Sequence, residues 1–184
     1  MNTNSLLCEY FTLKGFTMKI LALVLGMMSL AFGHTDVLEH GGFMSGFLHP
    51  ISGLDHILAM VGVGMVAFYA QKVVPTFVAF VGAMMVAALA GYSGMALIGM
   101  EEGILLSIAV VFGMIGFASK MSINFIVPII AFFGMFHGFA HGAEFTTGNF
   151  VAYMSGFALS TISLHLAGFG LASVYSKKLA SLRV

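Results

Sequence analysis

Long apolar stretches, separated by only a few polar residues at a time, are the feature that most constrains how this chain can fold. Five of them follow residue 41, at about 42–70, 75–93, 103–119, 123–141 and 150–175. Each approaches the ~20 residues that a helix needs to cross the hydrocarbon core of a bilayer. Charged residues make up 8% of the chain, against about a quarter in a soluble domain. We therefore predict an all-α, polytopic membrane helix bundle of about five transmembrane helices.

The first 33 residues have the pattern of a cleavable signal peptide. Lysines precede an apolar run at 20–32, which ends in Ala31-Phe32-Gly33. A basic segment, a short apolar segment and small residues at the end are what signal peptidase recognises. We predict a signal peptide at 1–33, with Met18 as an alternative start, followed by a single permease domain at 34–184. The alternative is an uncleaved first membrane helix.

Charge placement predicts how the helices are oriented. If the mature chain begins outside, five crossings place every later basic residue on the cytoplasmic side: Lys72, Lys120, Lys177, Lys178 and Arg183. This agrees with the positive-inside rule. We predict a bacterial inner-membrane protein with a periplasmic N-terminus and a cytoplasmic C-terminus. Because the formal net charge is zero and basic residues form no block, nucleic acid is not an expected partner.

Histidines and carboxylates cluster at the start of the predicted mature chain and again inside the first apolar stretch. His34, Asp36 and His40 lie in the short segment expected outside the membrane. The segment His49–His56 lies within this stretch. Pro50 should break or kink the helix, and Pro50 and Gly53 together argue against one continuous helix. A broken helix turns backbone groups toward a cavity, as at transporter binding sites. Burying an unpaired Asp55 in the membrane is costly, so its carboxylate needs a cation, a proton or a hydrogen-bond donor. In the last case Asp55 would only hold neighbouring helices together.

A third cluster lies near the end of the fourth stretch. His137, His141 and Glu144 are spaced i, i+4 and i+7, which places them along one stripe of a helix. Imidazole and carboxylate groups are ligands suited to nickel, cobalt or zinc. The same stretch repeats glycine at 134, 138 and 142, a ladder of small residues that lets a neighbouring helix approach closely.

The predicted topology brings these clusters to the outer side of the membrane, where Glu101 and Glu102 begin the third stretch. We expect one externally open vestibule. The candidate metal ligands are His34, Asp36, His40, His49, Asp55, His56, Glu101, Glu102, His137, His141 and Glu144. His165 lies alone in the fifth stretch, where a lone histidine either ties helices together or acts as an inner relay.

At these motifs the chain resembles the HupE/UreJ family of bacterial nickel/cobalt permeases. The matching elements are His34-Thr35-Asp36, the HPxxGxDH element from His49 to His56, Glu101-Glu102-Gly103-Ile104, and Phe136-His137-Gly138 with Ala140-His141-Gly142 and Glu144. The resemblance implies nickel supply to hydrogenase or urease and functional roles for these histidines and acids. Family members often have six spans, one more than the count above.

From residues and resemblance together we predict a permease rather than an enzyme, with Ni²⁺ or Co²⁺ as the transported substrate. Its expected partners are the divalent ion and the lipid bilayer, and a second copy of the chain is a further candidate partner. Two alternatives explain part of the pattern. Paired histidines serve as axial ligands in a haem-binding electron-transfer subunit, and Glu144 or Asp55 could supply the general base of an intramembrane metallo-hydrolase.

Overall fold

The computed structural model describes residues 41–182, and this part of the chain is helical. Its six α-helices are α1 (Phe43–Ser52), α2 (Leu54–Ala70), α3 (Val73–Tyr92), α4 (Met100–Ile115), α5 (Ile123–Glu144) and α6 (Phe150–Ser181). A short 3-10 turn, Ala118–Lys120, connects α4 to α5. The predicted signal peptide, together with His34, Asp36 and His40, lies outside the described residues.

The helices coincide with the five apolar stretches, and the predicted all-helical membrane bundle is confirmed. Helices α3, α5 and α6 are each long and apolar enough to cross a bilayer. The pair α1 and α2 meets the same test only when taken together, because each helix alone is too short, with 10 and 17 residues. The two helices meet at an angle of 85°. Helix α4 has 16 residues, a length of roughly 24 Å. By length and composition the described helices therefore provide three spans, or four with the bent pair, rather than the five expected.

The break in the first stretch lies at Gly53 and not at the proline. Helix α1 continues through Pro50 to Ser52, and Gly53 then adopts an extended backbone with φ −100° and ψ 123°. The hydroxyl of Ser52 donates to the carbonyl oxygen of His49 at 2.7 Å, in the last turn, where helix carbonyls lack backbone partners. A Cβ on Gly53 would lie 2.8 Å from the carboxylate of Asp55. Glycine therefore allows the sharp turn beside the site.

A seam of glycines joins α3 and α5, and we call it the glycine seam. Its α5 members lie directly against backbone carbonyl groups of α3, with Gly134 at Phe80, Gly138 at Met84 and Gly142 at Ala88. The two helices run parallel, since both residue numbers increase together along the seam. This is the close approach that the glycine ladder predicts.

Helix α6 packs against both halves of the bent pair. Gly156 of α6 and Gly46 of α1 each lie against the backbone of the other helix. Gly168 of α6 and Gly64 of α2 do the same one level further along. Because both α1 and α2 are held to one continuous helix, the 85° bend is a packed feature of the bundle.

Charged residues separate to opposite ends of the bundle. Lys72 precedes α3 and Lys120 precedes α5, so the two lysines share an end because these helices are parallel. Glu144 ends α5 at the other end, where the rings of Tyr92 and Phe150 stack with centroids 4.1 Å apart. We call these the basic end and the acidic end.

Candidate metal centre

Three imidazoles converge near the acidic end, and we call them the tri-histidine group: His49, His56 and His141. One nitrogen from each lies within 4.8 Å of those of the other two. His49 comes from the last turn of α1 and His56 from the first turn of α2, so the break at Gly53 aims both rings at α5. The ring of His141 lies 4.5 Å from that of His49 and 4.7 Å from that of His56, measured between centroids. Three histidines from three helices form a plausible set of metal ligands.

The two carboxylates of the motifs lie behind the imidazoles and not among the converging atoms. An Asp55 oxygen is 2.9 Å from Nδ1 of His56, and a Glu144 oxygen is 3.3 Å from Nδ1 of His141. The Asp55 side chain is 19% exposed and that of Glu144 is 54% exposed. A carboxylate at Nδ1 favours the proton there and leaves Nε2 as the ligand atom, an arrangement usual for metal-binding histidines.

The shortest contact within the tri-histidine group joins His56 and His141, and it favours a cation or a shared proton between them. Their Nε2 atoms lie 2.6 Å apart. If both Nδ1 atoms carry the proton, two lone pairs face each other, and only a shared proton or a cation between them relieves the repulsion. Two imidazoles on one tetrahedral zinc-like ion stand roughly 3.3 Å apart, given bond lengths of about 2.0–2.1 Å. Less than about 1 Å of opening would therefore admit an ion.

His137 borders the tri-histidine group without joining it. Its ring lies 5.4 Å from that of His56, and its Nε2 lies 3.2 Å from the hydroxyl oxygen of Ser107. Ser107 donates its own proton to the carbonyl oxygen of Ile104, so it accepts from His137 and the Nδ1 of His137 holds a lone pair. In the described part of the chain this buried Nδ1 has no hydrogen-bond partner.

Aromatic side chains of α6 close the other side of the group. The fully buried Phe157 ring lies 4.4 Å from that of His141, and Tyr153 lies 6.3 Å from His49. Sequence reasoning missed these two residues and Ser107. Aromatic residues are common in apolar helices, so neither of the two stands out in the sequence. The available signal was spacing, because Phe157, Thr161 and His165 lie four residues apart along one stripe of α6.

Two candidate ligands, the acids of α4, lie away from the converging nitrogens, and so does His165. Glu101 and Glu102 are exposed in the first turn of α4. Helix α4 starts near the acidic end, because Gly103 lies against the ring of Phe136 in α5. His165 is buried in α6, where Nδ1 lies 2.9 Å from the carbonyl oxygen of Met60. The structure thus unites His49, Asp55, His56, His137, His141 and Glu144 and leaves the α4 acids at the surface.

Comparison with known proteins places the chain in a family. The family model described as HupE / UreJ protein matches residues 21–184. The chain belongs to the HupE/UreJ family. The protein HupE of Rhizobium leguminosarum bv. viciae is 37% identical over 155 residues, which cover 82% of this chain and 80% of that protein. No solved structure matches the chain.

HupE/UreJ membership agrees with the resemblance found in the motifs. The match includes the candidate ligands from His34 to Glu144. The family comprises metal transport and accessory proteins and not enzymes, which is consistent with the expectation of a non-enzymatic role. Together with the long apolar helices, it identifies a membrane protein.

Proposed function

We propose that this HupE/UreJ chain is a permease that carries Ni²⁺ or Co²⁺ across the bacterial inner membrane to supply hydrogenase or urease. The observation that supports this most is the convergence of His49, His56 and His141 inside an apolar bundle. Imidazoles bind borderline divalent ions well, and softer thiolate ligands favour copper(I) or iron–sulfur clusters. The single cysteine, Cys8, cannot supply a thiolate cluster.

The proposed path begins in the periplasm and ends at the basic end. In this proposal residues 1–33 are removed as a signal peptide, and 34–184 form one permease domain with its C-terminus in the cytoplasm. His34, Asp36 and His40 meet the ion first, and Glu101 and Glu102 add negative charge at the mouth. The tri-histidine group, with Asp55, Glu144 and His137 beside it, then replaces part of the hydration shell.

The direction of transport follows from the charge of the ion. An inside-negative membrane potential contributes about 2.3 kcal/mol per elementary charge per 100 mV. A divalent cation gains twice that on entry, which favours uptake without a coupled pump. Neutral imidazoles suit this role because they hold the ion while leaving the charge of the site low.

The geometry argues against the two alternatives. A bis-histidine haem needs a gap wide enough for a flat porphyrin between its two imidazoles. The Nε2 atoms of His56 and His141 are only 2.6 Å apart, and the buried Phe157 ring packs against His141. A metallo-hydrolase needs a free general base near the metal. The carboxylates of Asp55 and Glu144 are each placed against a histidine Nδ1.

Uptake of radioactive nickel and cobalt by cells that lack their own nickel importers tests the proposal. Cells that express the chain should accumulate about tenfold more metal than cells with an empty vector, whereas His141→Ala should match the vector because it removes a ligand. Ser155→Ala is the matched control, since this serine is exposed on α6 and bonds only to its own helix backbone. Equal accumulation by wild type and His141→Ala, at equal protein levels, would contradict the proposal.

A further inference from the structure

We infer that His165 is a second metal station, deeper in the bundle than the tri-histidine group, with Nε2 as its ligand atom. The inference rests on the proposed transport of Ni²⁺ or Co²⁺ and adds an inner step to it.

The hydrogen bonding of His165 presents an unused lone pair to the interior. Its Nδ1 lies 2.9 Å from the carbonyl oxygen of Met60, and because a carbonyl only accepts, Nδ1 must carry the proton. Nε2 then holds the lone pair, and in the part of the chain that the structure describes this buried atom has no hydrogen-bond partner. Metal-binding histidines usually donate one ring nitrogen to a carboxylate, a backbone carbonyl or water and offer the other to the ion, and His165 has this arrangement. Leaving such an atom unsatisfied is costly.

His165 lies further toward the basic end than the tri-histidine group. On α6 it follows Phe157, which contacts His141, by eight residues, or roughly 12 Å of helix. On α2 its partner Met60 follows His56 by four residues, or roughly 6 Å. Both helices therefore place His165 closer to the basic end than the tri-histidine group, at a distance that an ion would cross in one or two steps.

The interval between the two levels contains polar atoms in an otherwise apolar interior. Ser160 is fully buried, and its hydroxyl has no hydrogen-bond partner among the described residues. The hydroxyl of Thr161 contacts the sulfur of Met84 at 3.9 Å. Thr161 lies one turn before His165 on the same stripe of α6, so its hydroxyl is the polar group that borders the interval on the side of His165.

An aromatic ring of α3 contacts a histidine at each of the two levels. Phe80 of α3 packs on His137 with ring centroids 5.4 Å apart and on His165 with ring centroids 5.1 Å apart. Its α3 neighbour one turn on is Met84, the partner of Thr161. Phe80 thus joins the border of the tri-histidine group to the inner station.

The competing role for His165 is a plain tie between α6 and α2 through Met60. Asparagine and glutamine separate the two roles, because the asparagine amide reaches the Nδ1 position and the glutamine amide reaches the Nε2 position. His165→Asn keeps the donor to Met60 and removes the ligand atom. His165→Gln removes that donor and keeps a polar atom at the ligand position.

Nickel uptake by both variants, at equal protein levels in cells without their own importers, tests the inference. We expect His165→Asn to lower the maximal uptake rate about tenfold with an apparent KM within about twofold of wild type, as for loss of a step after outer binding. His165→Gln should be the faster of the two. If His165→Asn is as fast as His165→Gln or faster, His165 is a tie and the inference is wrong.

If neither variant protein reaches the wild-type level in the membrane, nickel titration of the purified wild-type chain with ¹⁵N-labelled histidine decides instead. Paramagnetic Ni²⁺ should broaden the tri-histidine signals first and the His165 signal at higher nickel. A His165 signal that stays sharp would overturn the inference. Failure of wild type to bind or take up either nickel or cobalt would instead overturn the proposed function, so the two failures are distinguishable.

Discussion

Helix α5 carries two different surfaces on adjacent stripes, and their contrast explains how the bundle works. Along one stripe, Gly134, Gly138 and Gly142 press against the α3 backbone. Along the next, His137 and His141 face α2, whose first turn follows the break at Gly53. The glycine seam has little freedom because backbone meets backbone. The histidine stripe instead faces the bent pair, which glycine contacts hold to α6, so the ligands come from one helix packed on α3 and from two short helices packed on α6.

The largest expected effect comes from breaking the glycine seam. In Gly138→Ala the new methyl group would lie against the backbone of Met84, and overpacking of this kind costs roughly 1–3 kcal/mol. Thermal unfolding in detergent should show a lower Tm and less folded protein. Metal binding should fall only in proportion to the folded fraction.

Gly82→Ala is the matched control for the seam. Nothing lies within 4 Å of a Cβ built at Gly82, and alanine has the better helix propensity by about 1 kcal/mol. Its Tm should equal or exceed that of wild type. If the two alanine variants unfold at the same temperature, close packing does not fix α5.

An intermediate effect is expected when the carboxylates next to the histidines, Asp55 and Glu144, are replaced. These variants should stay folded and bind metal more weakly. Asp55→Asn should weaken Ni²⁺ binding by about 10–100-fold, the usual cost of losing a carboxylate that orients a ligand. Glu144→Gln should cost less, because Glu144 is farther from its histidine and more exposed. Isothermal titration of purified protein measures both affinities. A larger loss for Glu144→Gln than for Asp55→Asn would contradict the assigned roles.

The smallest effect is expected at the surface acids of α4. Glu101→Gln and Glu102→Gln should leave nickel affinity unchanged and lower uptake by about twofold at low ionic strength, because exposed charges only raise the local cation concentration. The difference should vanish when salt is added. An affinity loss as large as that of Asp55→Asn would place one of these carboxylates in the site itself.

Much of the fold could be predicted because it depends on patterns within single helices. Apolar stretches give the helices, and glycines four apart give the seam, since both signals depend only on spacing within one helix. The 85° bend could not be predicted in the same way. Pro50 and Gly53 both argued against a continuous helix, but spacing does not tell which of them turns the chain or by what angle. The helix α1 continues through Pro50, and the chain turns at Gly53.

The candidate site could be predicted as a set of residues but not as an arrangement. Spacing indicated that His137, His141 and Glu144 share a stripe, and imidazole and carboxylate groups together were the expected ligands. The structure instead brings His49 to His56 and His141 and places Asp55 behind His56. That choice depends on how the pieces on either side of Gly53 pack against α6, which no local pattern records.

X-ray absorption of the cobalt-loaded protein tests the central claim, that His49, His56 and His141 bind one ion, most directly. Imidazole rings give a characteristic outer-sphere scattering whose amplitude reports how many are bound. The account expects about three imidazoles in wild type and one fewer in His141→Ala, with nitrogen at about 2.0–2.1 Å for a zinc-like site. A wild-type spectrum with a single imidazole, or one that His141→Ala leaves unchanged, would contradict it.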